Sequence, residues 1–366
     1  MGKIYFALGL MSGTSGDGVD SSIIQSDGMD RFMIKFNRYD PYPSHLSNEI
    51  HRIKEKIQSS SDLAKFANEL EFLESKLTKF HADVAKKWFE SVHVDIIGFH
   101  GQTIYHNSEE KMSKQLGLGE KLSKLTKKTV IYNFRQNDLK NGGEGAPLAP
   151  IYHKLLVKVF RDSRKLKKKS SVIILNIGGI ANITTISEKY VMQSMDIGPG
   201  NCLIDKWIRL NSDKRYDENG DISRSGKIDK FILDQALDNF YYNKISKKKS
   251  LDTNDFDLSF VRGLSLENGA ATITEFTADI LSKKLLDFDV YVCGGGRKNK
   301  FLLESIQKKI DGNISTVDSL GIDGGYIESQ AFGYLAVRSF LGLPISFPET
   351  TGCKRPVTGG ELIISA

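Results

Sequence analysis

The chain has 366 residues and a net charge of +6, and this length is sufficient for two domains that each bury their own core. Hydrophobic residues make up 40% of the chain and charged residues 26%, as is usual for water-soluble globular proteins. The sequence shows neither an apolar run as long as a membrane span nor a charged-then-apolar secretory signal, so we expect no membrane partner.

Cysteine and lysine positions narrow the class of protein further. Cys202, Cys293 and Cys353 are far apart and odd in number, a pattern typical of buried thiols in a reducing compartment, so we expect a cytoplasmic protein. Much of the positive charge lies in short runs at 161–169 and 247–249. No aromatic residues interleave with these lysines as a base-stacking surface would require, so we expect no nucleic-acid partner.

The first predicted elements are two strands joined by a glycine-rich turn. Apolar runs at 4–8 and 19–24 flank Gly13, Gly16 and Gly18, which allow backbone conformations that other residues disfavour. With free N–H groups and nearby hydroxyls, this turn would form a concave lining suited to phosphate oxygens. The alternative is an ordinary β-hairpin with a glycine-rich tip. The stretch matches neither the P-loop nor the dinucleotide-binding pattern.

The remaining predicted elements alternate between strands and helices. In the first half, periodicity predicts strands at 31–38, 94–99 and 129–133 and helices at 46–57, 63–89 and 151–160. In the second half, it predicts strands at 171–175, 191–197, 290–293 and 314–317, helices at 202–210, 266–288, 299–310 and 326–341, and two helices with loops within 211–265. Each half opens with strand, glycine turn and strand. We therefore predict two similar α/β lobes, 1–168 and 169–366, with their glycine turns at one nucleotide cleft.

Several motifs, in order along nearly the whole chain, resemble those of the anhydro-N-acetylmuramic acid kinase family. They are Met11-Ser-Gly-Thr-Ser15 with Asp17-Gly18, His100-Gly-Gln-Thr103, Gly142-Gly-Glu-Gly-Ala-Pro-Leu148, Asn176-Ile-Gly-Gly-Ile-Ala-Asn182, Asp196-Ile-Gly-Pro-Gly-Asn201 and Glu328-x-x-Ala-Phe332. The resemblance implies membership of the acetate and sugar kinase, Hsp70 and actin superfamily. The fold it implies is a pair of duplicated ribonuclease-H-like (actin-like ATPase) lobes around the nucleotide cleft.

The reaction that the resemblance implies has two coupled parts. Water opens the 1,6-anhydro bridge of anhydro-N-acetylmuramic acid, and the freed O6 takes the γ-phosphate of ATP. The product would be N-acetylmuramic acid 6-phosphate, an intermediate of murein recycling. The implied partners are ATP with Mg²⁺ and a small-molecule amino sugar, and the resemblance is also compatible with a homodimer.

The resemblance assigns roles to individual residues. Asp138 takes the place of the catalytic aspartate, where a carboxylate would orient a water and accept its proton; a turn-capping role is the alternative. The residues implied for ATP are Gly13, Thr14, Ser15, Gly16, Asp17, Gly18, Val19, Asp20, Gly178, Gly179, Gly294, Gly295 and Gly296. The residues implied for the sugar are Ser12, Thr103 and Glu328. Asp17 and Asp196 would hold Mg²⁺ through water.

Two other functions compete with this one. The first is a sugar kinase of the same superfamily that phosphorylates a substrate hydroxyl directly, without water. The second is an actin-like or Hsp70-like ATPase, although the first turn lacks the aspartate that those proteins place there. The chain also departs from the family pattern at Gly16, where the family has a bulky apolar residue, and at 249–253.

Overall fold

The computed structural model describes residues 2–13, 15–166, 170–242 and 251–365. The chain divides into two compact units: unit 1 comprises Met1–Ser163 and Tyr326–Ala366, and unit 2 comprises Arg164–Gly325. This division differs from the second lobe predicted at 169–366, because the last long helix packs on the sheet of unit 1. Thr14, the lysines at 167–169 and residues 249–250 of the departure at 249–253 lie outside the described residues.

The secondary-structure elements alternate as the sequence predicts. The strands are β1 (Tyr5–Ser12), β2 (Gly18–Ser26), β3 (Phe32–Pro41), β4 (Ile96–Asn107), β5 (Met112–Leu116), β6 (Thr129–Tyr132), β7 (Val172–Ile177), β8 (Ile180–Ile186), β9 (Met192–Pro199), β10 (Asp289–Cys293), β11 (Ile314–Thr316) and β12 (Glu361–Ile363). The α-helices are α1 (Ser44–Lys56), α2 (Ser60–Lys65), α3 (Ala67–Phe89), α4 (Gly119–Thr126), α5 (Gln136–Lys140), α6 (Pro150–Asp162), α7 (Cys202–Asn211), α8 (Asp221–Ser225), α9 (Lys230–Tyr242), α10 (Leu266–Ser282), α11 (Lys300–Gln307), α12 (Ile327–Phe340) and α13 (Pro348–Thr351).

Among the described residues, each unit contains one sheet, and the two sheets share a strand order. In unit 1 the order is β12-β6-β4-β1-β2-β3, with β5 attached to β4. In unit 2 it is β11-β10-β7-β8-β9. In both, the first three strands in the chain form an antiparallel meander, and the first of them pairs in parallel with the next buried strand: β1 with β4, and β7 with β10. The predicted duplication of an α/β lobe is therefore confirmed.

Glycines let α12 lie directly against the sheet of unit 1. A Cβ on Gly9 would overlap the carbonyl oxygen of Ser329, and a Cβ on Gly98 would overlap that of Phe332. Because β1 and β4 carry glycine at these positions, the helix backbone approaches the strand backbone closely. This packing fixes the first turn of α12, which contains Glu328.

The opposite face of this sheet is covered by α1 and α3. Leu8, Ile23 and Phe99 on the strands pack with Ile50 and Leu77 on these helices in one buried apolar cluster. The two faces together hold β1 and β4 rigidly, and these are the strands from which the first glycine turn and Thr103 extend.

Local signals set several helix boundaries. Ser59 and Asp62 form a capping box that starts α2, and Ser265 and Asn299 cap α10 and α11 by accepting from the backbone N–H three residues ahead. α10 ends at Ser282, before the predicted end at 288, and residues 283–287 form turns.

No helix within the described ranges is both long and apolar enough to cross a membrane.

Candidate active site

Asp138 lies in the short helix α5, and its carboxylate is held on both oxygens. Thr351 donates its hydroxyl to Oδ1 at 2.6 Å, and the backbone N–H of Gly145 donates to Oδ2 at 2.7 Å. Asp138 is only 1% exposed, and a Cβ on Gly143 would overlap its carboxylate. The Gly142–Leu148 stretch (142–148) thus wraps around this side chain. A carboxylate has about four acceptor sites, so these two hydrogen bonds leave sites at which Asp138 can accept a proton.

Arg135 lies one helical turn before Asp138 and is anchored on two sides. Its Nη1 donates to the carbonyl of Gly145 at 3.1 Å, and its Nη2 donates to Nε2 of His100 at 3.0 Å. The His100 Nδ1 lies 2.8 Å from the carbonyl of Gly101, which can only accept, so the ring proton is on Nδ1 and Nε2 is the acceptor. Burial, together with the charge of Arg135, lowers the pKa of His100 well below its usual value. His100 is therefore a neutral group that orients Arg135.

The carboxylates of Asp138 and Glu328 both interact electrostatically with Arg135. Burial lowers the pKa of Arg135 to about 10, and the charges of Glu328 and Asp138 oppose this effect. Glu328, in the first turn of α12, keeps solvent contact, yet the surrounding protein atoms remove enough water to raise the pKa of its carboxyl. Arg135 acts on Glu328 in the opposite direction. Arg135, a cation that the sequence motifs do not single out, thus interacts electrostatically with both Asp138 and Glu328.

Thr103 and Gln102 lie farther along β4. Thr103 is half-buried, and Gln115 on β5 donates its Nε2 to the Thr103 hydroxyl at 3.4 Å. Gln102 is fully buried and donates its Nε2 to the carbonyl of Gly13 at 2.9 Å. This bond ties the strand to the first glycine turn. The sugar-contacting role of Thr103 stays a prediction.

The first glycine turn joins β1 to β2. The N–H of Gly16 donates to the carbonyl of Gly13 at 3.2 Å, and Ser15 donates its hydroxyl to Asp17 Oδ1 at 2.7 Å. Gly16 has a φ of +64°, in the left-handed region where glycine is favoured. A Cβ on Gly13 would meet only the Ser15 hydroxyl oxygen, at 3.6 Å, so this face of the turn is open. A Cβ on Gly18, by contrast, would clash with the ring of Tyr39, at 2.5 Å from its nearest carbon.

Ser12 and the start of β2 lie behind this turn. Ser12 is 1% exposed, and its hydroxyl donates to the carbonyl of Gly18 at 3.0 Å and contacts the hydroxyl of Tyr42. Val19 is fully buried and Asp20 is half-buried on β2. The structure therefore places the hydroxyl of Ser12 inside the protein, next to the backbone of the turn.

In unit 2, the second glycine turn joins β7 to β8. The carbonyl of Gly178 accepts from the N–H of Asn201 at 2.8 Å, and that of Gly179 accepts from the N–H of Gly200 at 2.9 Å. These bonds attach the turn to the N-terminus of α7. Asp196 on β9 accepts from the backbone N–H of Leu251 at 2.9 Å.

The third glycine turn follows β10. Gly294 has a φ of +79°, and a Cβ on it would overlap Asn176 Oδ1; a Cβ on Gly296 would overlap the side chain of Ile177. Gly295 is open, with no neighbour closer than 4.0 Å to a Cβ built on it. Arg297 holds the turn by donating to the carbonyl of Gly294 at 3.1 Å and to Asp318 and Asp323. That side chain therefore supports the turn through its own hydrogen bonds.

Metal binding is limited to weak candidates. Within the described ranges, no group of three or more His, Cys, Asp and Glu side chains is arranged to hold a metal ion. Asp17 is an exposed carboxylate beside the first turn, the kind of oxygen donor that suits Mg²⁺ carried by phosphates and water. Its role, like that of Asp196, stays a prediction.

Comparison with known proteins shows the family to which the chain is similar. The family model described as "Anhydro-N-acetylmuramic acid kinase" matches residues 5–365. A relative of that name from Pelagibacter ubique (strain HTCC1062) is 49% identical and aligns over 99% of this chain and 99% of its own. One from Rhizobium johnstonii is 36% identical, again over 99% of both chains.

Among solved structures, the activator of the 2-hydroxyisocaproyl-CoA dehydratase from Clostridium difficile, with bound ADPNP, covers 91% of this chain and 94% of its own. It is 12% identical to this chain, with a TM-score of 0.41, and is a distant likeness. The family match and the relatives extend over nearly the entire sequence. The chain therefore belongs to the anhydro-N-acetylmuramic acid kinase family and is a transferase.

Proposed function

We propose that this protein opens the anhydro bridge of 1,6-anhydro-N-acetylmuramic acid with water and phosphorylates the released O6 with MgATP. The products are N-acetylmuramic acid 6-phosphate and ADP, and the reaction serves murein recycling in the cytoplasm. The observation that carries the proposal is a buried carboxylate, Asp138, held by two donors beside Arg135 and Glu328. The family membership of the chain supports the choice of substrate.

Asp138 is the general base in this reaction. A water attacks C1 and gives a proton to the carboxylate, the C1–O6 bond breaks, and O6 forms a bond to the γ-phosphorus as ADP leaves. The fixed orientation of the carboxylate supports this role, because a base must point at the proton that it removes. Arg135 supplies a positive charge that interacts electrostatically with both Asp138 and Glu328.

Glu328 and Thr103 contact the sugar. The carboxyl of Glu328 has a raised pKa and keeps solvent contact, so it is available to hydrogen-bond sugar hydroxyls.

For ATP, we assign the phosphates to the first glycine turn and to Gly178 and Gly179, and the adenosine to Gly294–Gly296 (294–296). The open faces at Gly13 and Gly295 support this assignment, since phosphate and base need close approach to the backbone. Asp17 and Asp196 would hold Mg²⁺ through water, and the ion would neutralise charge on the ATP phosphates during transfer.

The test combines one variant with isotope labelling. In ¹⁸O-water with rapid quenching, the wild-type product should carry the label at C1 and none in the phosphate. Asp138→Asn should lose most sugar turnover, by about 10²–10⁴-fold, while still binding ATP and sugar. Asp83→Asn, an exposed position on α3, is the matched control and should behave as wild type.

Each competing reaction has its own label pattern. Absence of label from the sugar would indicate direct phosphorylation of a hydroxyl, as in other sugar kinases. Label in the phosphate would indicate ATP hydrolysis by water. A fully active Asp138→Asn enzyme would exclude Asp138 as the base.

A further inference from the structure

The C-terminal segment 347–358 lies against α5, the short helix that contains Asp138, although the two are more than 200 residues apart in the sequence. Thr351, at the end of α13, is 1% exposed. Its hydroxyl donates to Asp138 Oδ1 at 2.6 Å across a sequence separation of 213, and its carbonyl accepts from the N–H of Glu144 at 2.9 Å. Thr351 therefore contacts both the carboxylate and the glycine-rich stretch around it.

The hydroxyl proton of Thr351 has two acceptors within reach. The carbonyl of Phe347 lies 3.3 Å from the hydroxyl oxygen, whereas Asp138 Oδ1 lies 2.6 Å away. A hydroxyl has one proton to donate, and hydrogen bonds to an ionised acceptor are shorter and stronger. The proton therefore belongs to the bond with the carboxylate.

Two further hydrogen bonds hold the C-terminal segment in the position that brings Thr351 to Asp138. The N–H of Lys354 donates to the carbonyl of Asn141 at 3.2 Å, and Asn137 donates its side-chain amide to the carbonyl of Thr358 at 2.6 Å. These bonds attach the segment to α5 on both sides of Asp138. Gly352, with a φ of +72°, turns the chain directly after Thr351.

We propose that Thr351 is a positioning residue for the water-activating carboxylate: its hydroxyl sets the rotation of the Asp138 carboxylate. This inference rests on the proposed role of Asp138 as the base. Without the Thr351 hydroxyl, Oδ1 of Asp138 loses a donor while Oδ2 keeps the Gly145 N–H, so the carboxylate is less restricted in its rotation about the Cβ–Cγ bond and the lone pair that faces the water is no longer fixed. Thr351 itself acts through Asp138 and is not assigned a contact with the substrate.

Several charged or titratable groups surround this pair and remain in place when Thr351 is changed. Arg135 precedes Asp138 on the same loop, and Glu328 on α12 acts on Arg135. From the β4–β5 hairpin, Lys111 donates to the carbonyl of Gly143 at 3.1 Å. From the C-terminal segment, burial raises the pKa of the Cys353 thiol, so it is neutral.

The experiment compares Thr351→Val, Thr351→Ser and Thr350→Val in the full-length protein, with kcat and KM for the sugar measured for each variant. Thr350 is the matched control, because it is also buried in α13 but its hydroxyl donates to the carbonyl of Phe347. For Thr351→Val, we expect kcat to fall about 10- to 100-fold with KM nearly unchanged, as for loss of a hydrogen bond to a charged group.

Thr351→Ser keeps the hydroxyl and should restore kcat, and Thr350→Val should match wild type. An unchanged kcat in Thr351→Val, or an equal loss in Thr350→Val, would overturn the proposal. If thermal unfolding shows that Thr351→Val is not folded, Thr351→Ala provides the same comparison. Asp138→Asn is measured alongside: an inactive Asp138→Asn with an unaffected Thr351→Val refutes only the role of Thr351, whereas an active Asp138→Asn refutes the proposed base.

Discussion

Replacing Gly98 with alanine tests how the placement of Glu328 depends on the packing of α12. An added Cβ would overlap the carbonyl oxygen of Phe332 and would lie 2.9 Å from Ala336 Cβ. Ordinary contact begins at 3.4 Å and the Phe332 carbonyl oxygen would lie at 2.2 Å from the added Cβ, so α12 must move from the sheet by about 1 Å. The obstacle is helix backbone, which cannot rotate away as a side chain could.

We expect Gly98→Ala to lower the free energy of unfolding of unit 1 by about 1–3 kcal/mol, the usual range for overpacking a core. Because α12 carries Glu328, the KM for the sugar should rise, and misplacement of a positioning group can reduce catalysis by up to about 10²-fold for a 1 Å shift. KM for ATP should change less. The assays are urea unfolding and steady-state kinetics with each substrate varied.

Gly333→Ala is the matched control, since it introduces a Cβ on α12 itself. That Cβ would meet Ile24 Cγ1 at 3.2 Å, and a flexible side chain can give by a few tenths of an ångström. We expect a smaller effect on stability and none on KM for the sugar. If Gly98→Ala matched wild type in both assays, close packing of α12 would not be what positions Glu328.

Two further predictions concern the first glycine turn and the pH dependence of stability. Gly13→Val should abolish ATP binding in calorimetry while leaving the fold intact, because the space around Gly13 is open. Gly18→Val should also destabilise the protein, because the added side chain would clash with the ring of Tyr39. Unchanged ATP affinity in Gly13→Val would exclude a phosphate-binding role for the first glycine turn. Burial lowers the pKa of His81 from 6.5 to about 4, so His81 binds a proton more readily in the unfolded chain than in the folded one. The contribution of neutral His81 to stability is therefore present above about pH 6.5 and is lost as the pH falls to about 4. Urea unfolding of His81→Gln between these limits should show a flatter pH dependence than wild type, and an unchanged slope would contradict the assignment.

The sequence predicted the elements with strong periodicity and missed those that depend on tertiary contacts. Strands β1, β2 and β4 and helix α12 carry enough apolar residues in register to be recognised. β5 is short and rich in polar residues, and β12 has three residues whose strand conformation comes from pairing with β6. In both cases the strand conformation depends on pairing with another strand, β4 for β5 and β6 for β12, and β6 is distant from β12 in the sequence.

The same distinction applies to the candidate site. Asp138 and Glu328 were found through motifs, and Arg135 could have been suspected as a cation three residues before the predicted base. Thr351 carries no local signal, because its partner is 213 residues away. The requirement for glycine at Gly18 also has a cause that the motif does not contain, namely the ring of Tyr39 beside it.

The division of the chain changes what holds the two carboxylates in relation to each other. With lobes at 1–168 and 169–366, Asp138 and Glu328 would belong to different lobes. In the structure both belong to unit 1, because α12 packs on β1 and β4 through Gly9 and Gly98. Their relative placement is therefore set by one core, and the same unit contains Arg135, which interacts electrostatically with both, and His100, which orients Arg135. Substitutions in that core, and not only in the site itself, should alter how the sugar is held.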